Sequence, residues 1–96
     1  MNFLPGSQRI TGDSVVGVSG KPTRLYAVSL ISGGTASVLS LYDGTSAGGN
    51  EQVKITGTIS TGTVINFAGG LRFPNGLFAD ADANISSATF IIDQEF

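Results

Sequence analysis

Fourteen glycines are spread along the 96 residues, so few windows could hold three helical turns without one. Each interior glycine costs a helix about 1 kcal/mol relative to alanine, which disfavours helix almost everywhere. Between the glycines, β-branched runs alternate at short intervals with Gly, Ser, Thr, Asn and Asp clusters. That pattern predicts an all-β fold, an antiparallel β-sandwich of jelly-roll-like form with about seven or eight strands. Residues 1–96 read as a single domain with short extended termini, because a chain of this length has no room for a second core.

The strands can be placed from apolar alternation. Arg9 to Val18 reads as one or two strands around Gly12 and Asp13, and Gly20, Lys21 and Pro22 then turn the chain. Thr23 to Ile31 follows, with Tyr26, Val28 and Leu30 expected on one face and Leu25, Ala27 and Ile31 on the other. Apolar groups on both faces mark a central or interface strand. Ser32 to Thr35 is expected to form a hairpin connection into Ala36 to Tyr42, where Leu39 and Leu41 share a face. Asp43 to Asn50 has no large apolar group and reads as a solvated loop or flexible tip. Glu51 to Thr56 is a half-buried strand with Val53 and Ile55 inside. Thr63 to Ala68, Leu77 to Asp80 and Ala88 to Asp93 complete the set, the last with Phe90 and Ile92 on one face and Ile91 on the other.

Composition narrows the function classes. The chain has no His, Cys or Trp and only 12% charged residues. General acid-base catalysis at neutral pH most often uses His, and a nucleophile needs an adjacent base, so the sequence reads as non-enzymatic. No cofactor is expected. The five cations, Arg9, Lys21, Arg24, Lys54 and Arg72, are scattered, which argues against a phosphate-binding stripe and against nucleic acid as a partner. No segment approaches the roughly 20 continuous apolar residues of a membrane-spanning helix. Met1 to Gly6 lacks the charged and apolar regions of a secretory signal, so the chain reads as a soluble protein made in a cytoplasm. A hydrophobic fraction of 41% and a mean hydropathy of +0.24 are high for so small a domain, which points to apolar surface shared with another chain. Without cysteines, association is the remaining source of added stability.

Three constellations have a chemical reading beside a plainer one. Asp80, Asp82 and Asn84 match the opening spacing of a calcium loop, but Ile85 stands where that loop needs Gly and Ile91 where it needs Glu; a solvated acidic turn competes with cation binding. Asp43 with Thr45 and Ser46 could pair a nucleophile with a base, although a hydroxyl-capped turn accounts for the same residues. Gly44 to Gly49 is glycine-rich, yet it lacks the Lys and the helix of a phosphate loop.

Gly69 to Phe78, Gly-Gly-Leu-Arg-Phe-Pro-Asn-Gly-Leu-Phe, concentrates two turn signals with an Arg and two Phe. Pro74 presets the first corner of a turn, and Asn75 or Gly76 can take positive φ before a strand resumes at Leu77. Either Phe73 and Phe78 close one end of the sandwich, or Arg72 with Phe73 forms an interface anchor, both being residue types enriched at binding hot spots.

Leu41-Tyr42-Asp43-Gly44-Thr45-Ser46, then Gly48-Gly49, and later Gly70-Leu71-Arg72-Phe73-Pro74-Asn75-Gly76-Leu77 resemble small structural proteins of tailed-phage virions, over about Arg24 to Ile92. The resemblance implies a non-enzymatic virion component made in the host cytoplasm, foremost a capsid decoration or cement protein. Its partners would be copies of itself, in a homo-oligomer such as a trimer, and the major capsid or other virion proteins. The expected interface residues are Phe3, Leu4, Tyr26, Val28, Arg72, Phe73, Pro74, Phe78 and Phe96, with the extended ends Met1 to Pro5 and Gln94 to Phe96 packing on a neighbouring chain. A tail or baseplate component shares this chemistry. The competing class is a small carbohydrate- or peptide-binding module presenting Tyr42, Tyr26 or Phe73, for which the absence of Trp and the presence of only two Tyr give weak support.

Overall fold

A computed structural model of the chain describes residues 3–57 and 62–95, with the side chains of 3–5 and 95 excepted. These residues form eight strands: β1 (Phe3–Ile10), β2 (Ser14–Val16), β3 (Thr23–Ser32), β4 (Ser37–Asp43), β5 (Asn50–Gly57), β6 (Gly62–Phe73), β7 (Leu77–Ala81) and β8 (Ile85–Glu95). They build two four-stranded antiparallel sheets, ordered β1-β8-β3-β6 and β2-β7-β4-β5. The pairs β1·β8, β2·β7, β3·β6 and β4·β5 nest inside one another along the chain. One long hairpin rolled into two layers has this order, which is that of an eight-stranded jelly roll.

The core lies between the layers. Leu25, Val28, Leu30, Phe73, Phe90 and Ile92 come from the first sheet, and Val16, Leu39, Leu41, Ile55, Leu77 and Ala79 from the second, all buried. Each set recurs at alternate positions because successive side chains of a strand point to opposite faces. As expected, Leu39 and Leu41 share a face, and Phe90 and Ile92 lie on the face opposite Ile91; the structure turns both sets inward and Ile91 outward.

In β3 the expected alternation fails. Leu25 pairs with Ile92 of β8 and Ala27 with Ile91, leaving Tyr26 as an unpaired extra residue. This bulge shifts the phase, so Leu25, Val28 and Leu30 share the inner face while Tyr26 points out. On the other side of β3, Leu25 pairs with Leu71 and Ala27 with Asn66, so Phe67 to Gly70 of β6 stand opposite Tyr26 alone. Gly69 and Gly70 therefore do not end a strand; at φ 79° and 83° they form an irregularity within β6. A Cβ on Gly70 would stand 2.6 Å from Arg24 Cγ and Cδ and 3.0 Å from Tyr26 Cε1, so a glycine there makes room for both side chains.

The expected hairpin at Ser32 to Thr35 is instead a corner between the two sheets, since β3 and β4 do not pair. A glycine pair supports either geometry, and local sequence does not decide between them. The corner is held by Gly33 N donating to Asn84 O at 2.8 Å and by the bonded hydroxyls of Ser32 and Ser37. The expected break at Gly12 and Asp13 is present, and it sends β1 and β2 to different sheets.

Candidate functional site

Three loops converge at one end of the sandwich. Gly76 N donates to Phe73 O at 3.2 Å and closes the expected Pro74-Asn75 turn. Gly44 N donates to Gly76 O at 3.0 Å, while the Asp43 carboxylate accepts from the Asn75 backbone N at 2.8 Å and from Nδ2 at 3.1 Å. Residues 45–49 are exposed, as expected of a polar loop, but the loop is tied at its base and internally, where Gly48 N and Gly49 N donate to Ser46. Nearby, Gln94 is buried; its Oε1 accepts from Val18 N at 2.7 Å and its Nε2 donates to Pro22 O at 2.8 Å. The Asp43 oxygens are thus engaged in fastening loops.

The expected interface residues do not come together. Val28 and Phe73 are interior side chains, at 1% and 0% exposure, so neither presents a contact surface; the bulge turns Val28 inward and Phe73 caps the core. The backbone of Phe3 and Leu4 pairs within the chain, against Glu95 and Gln94, rather than extending away from it. Their side chains, and Phe96, lie outside the described residues. Pro74 is exposed at the turn. Tyr26 and Arg72 lie on the outer face of the first sheet, whereas Phe78 lies half-buried on the outer face of the second.

On the outer face of β1-β8-β3-β6, the registers place Ser7, Ile91, Ala27 and Asn66 in one row and Arg9, Thr89, Ser29 and Val64 in the next. Ile31 lies beyond them on β3. Ile31, Val64 and Ile91 are 47%, 64% and 46% exposed. At the other end of the face, Arg24 aligns with Asp93 and with Arg72, and its Nη1 donates to Gly69 O at 3.0 Å. Tyr26 Oη donates to Asp93 Oδ2 at 3.0 Å, and this hydrogen bond, with some burial, raises the Tyr26 pKa above its ordinary value.

The outer face of β2-β7-β4-β5 is acidic and aromatic. Val15, Phe78, Tyr42 and Glu51 form one row, and Asp80, Ser40 and Lys54 the next. Burial, then the nearby charge of Asp13, a hydrogen bond with it, and the charges of Asp82 and Glu51 raise the Asp80 pKa. Burial raises that of Tyr42, helped by Glu51 and Asp80. Asp82 serves the backbone, accepting from Val38 N at 2.8 Å and Asn84 N at 2.9 Å, and Asp13 accepts from Ala81 N at 2.9 Å. Among the described residues no group of three or more His, Cys, Asp or Glu is arranged to hold a metal ion.

Sequence reasoning missed Val64 and the alignment of Tyr42 with Phe78. Val64 had a visible signal: it interrupts the outward series of β6 with an aliphatic residue between inward Thr63 and Ile65. The Tyr42–Phe78 alignment depends on pairing between strands distant in sequence and has no local signal.

The class that the fold defines is an eight-stranded, two-sheet jelly roll. No protein-family model, curated protein or solved structure matches the chain.

Proposed function

We propose that this chain is a non-enzymatic structural protein that acts in repeated copies on a virion, foremost as a capsid decoration protein and alternatively in the tail or baseplate. The observation that carries the reading is the exposure of three aliphatic side chains, Ile31, Val64 and Ile91, on the outer face of one sheet. Large apolar groups exposed on one face of a small domain suit an interaction surface. Supporting it are the resemblance of residues 41–49 and 70–77 to phage structural proteins and a jelly-roll order shared with many viral coat domains, which is an analogy of fold. A protein of this kind stabilises a shell by binding its assembled form more tightly than the free subunits.

Immunogold labelling of particles released by the producing cells tests this reading. Label on particle surfaces is expected; label confined to the soluble fraction overturns it. The adjacent Tyr42 and Phe78 favour one second reading, a glycan-binding face, because rings beside polar groups suit sugar contacts. Specific retention on a glycan array, lost in Tyr42→Ala, would establish that alternative.

A further inference from the structure

The described side chains give the two outer faces opposite charge. Among the described side chains, the β1-β8-β3-β6 face holds Arg9, Arg24 and Arg72 against the single carboxylate Asp93. The β2-β7-β4-β5 face and its edge hold four carboxylates, Asp13, Glu51, Asp80 and Asp82, against the single cation Lys54. Each face also carries apolar side chains: Ile91 and Val64 on the basic one, Tyr42 and Phe78 on the acidic one.

We infer that copies of this chain associate front to back, the basic outer face of one molecule covering the acidic outer face of the next. This rests on the self-associating reading above and goes beyond it by fixing which surfaces meet and with what symmetry. A twofold contact would place a face against itself, arginines opposite arginines or carboxylates opposite carboxylates, and like charges at an interface exclude a partner. The front-to-back arrangement opposes the two signs and covers the apolar side chains of both faces. It also brings an arginine of the next copy toward Asp80, whose pKa is raised by burial and by neighbouring carboxylates, and that cation would favour the ionised form. The smaller face limits the contact: β2, β7, β4 and β5 have 3, 5, 7 and 8 residues, which at about 3.3 Å per residue and 4.8 Å per strand give roughly 360 Å², so a pair buries about 700 Å², the size of a weak, reversible contact. Such contacts use different surfaces on the two partners, so they close into rings or continue as stacks.

Two exposed positions separate the possibilities: Val64→Glu places a negative charge on the basic face, and Glu51→Arg a positive charge on the acidic one. Light scattering across a concentration series, with circular dichroism to confirm folding, is the measurement. Wild type is expected to grow in mass with concentration and to dissociate as salt rises, whereas each variant alone should associate more than about a hundredfold more weakly. Mixed in equal amounts, the variants should form a one-to-one dimer, since one retains the intact acidic face and the other the intact basic face. A mixture that stays monomeric, a single variant that associates like wild type, or a wild type that stays monomeric overturns the proposal. A discrete twofold wild-type dimer also overturns it, yet leaves the structural reading standing, which particle labelling decides separately.

Discussion

The Asp43 carboxylate holds Asn75 twice, through the backbone amide at 2.8 Å and the side-chain amide at 3.1 Å, across 32 positions of sequence. This grip fastens the polar loop after β4 to the turn before β7. Asp43→Ala is expected to cost about 1–2 kcal/mol, the value of two charge-assisted bonds partly replaced by water. Urea unfolding gives the loss, and limited proteolysis should cut residues 44–49 faster in the variant. Asn75→Ala, which keeps the backbone bond, should lose about half as much.

Gly76 sits where the same loops meet, at φ 108°, and a Cβ there would stand 3.1 Å from both Gly20 N and Gly44 O. Gly76→Ala combines a disfavoured backbone with contact against rigid main chain, so it should destabilise by about 1–3 kcal/mol. Gly20→Ala is the control: its φ is also positive, at 75°, but nothing lies within 4 Å of the added methyl. Its cost should be roughly 1 kcal/mol, and equal shifts in urea midpoint for the two variants would contradict this difference.

Phe73 is wholly buried in the same core cluster as Leu25 and Leu77. Phe73→Ala should therefore remove about 3–5 kcal/mol of stability, a large part of the roughly 5–15 kcal/mol that a domain possesses. Had Phe73 been an exposed anchor, the variant would melt like wild type and lose only association. Thermal unfolding followed by circular dichroism distinguishes these outcomes, and Phe73→Leu should recover much of the loss.

Asp80 gives a pH dependence with a definite sign. Its folded pKa is raised, so the native state holds that proton more tightly than the unfolded chain does. The ionised carboxylate therefore disfavours folding above the folded pKa, and this penalty fades as pH falls toward the ordinary aspartate range. Asp80→Asn should be more stable than wild type at neutral pH, by roughly a few tenths of a kcal/mol given its partial exposure, with a smaller advantage in acid. Melting curves at neutral and acidic pH check this; an advantage that grows in acid would refute it.

The strands were legible because their signal is local. Gly33-Gly34, the 43–50 loop and Pro74-Asn75-Gly76 punctuate alternating runs, and alternation alone paired Leu39 with Leu41 and Phe90 with Ile92 on shared faces and put Ile55 inside. Local signal fails where one residue is inserted. Nothing in Thr23 to Ile31 shows that Tyr26 bulges, and that one step determines which way Val28 points. Gly33-Gly34 likewise reads the same as a hairpin or as a corner between sheets. The two charged faces were hidden for a related reason: Arg9, Arg24 and Arg72 are scattered in sequence, and pairing β1, β3 and β6 into one sheet gathers them.

The nested order of pairing also sets a sequence of events for a chain emerging from a ribosome. Only β4 and β5 are neighbours both along the chain and in a sheet, so theirs is the first ladder that can close cheaply. Every later pair spans the ones before it, and the loop that it must close is already shortened by them. β1 is made first and joined last: its partner β8 is the final strand, and until those 11 residues arrive β1 has no ladder to complete. Non-local closure of this kind is slow, so the first strand is the one that depends longest on staying unpaired.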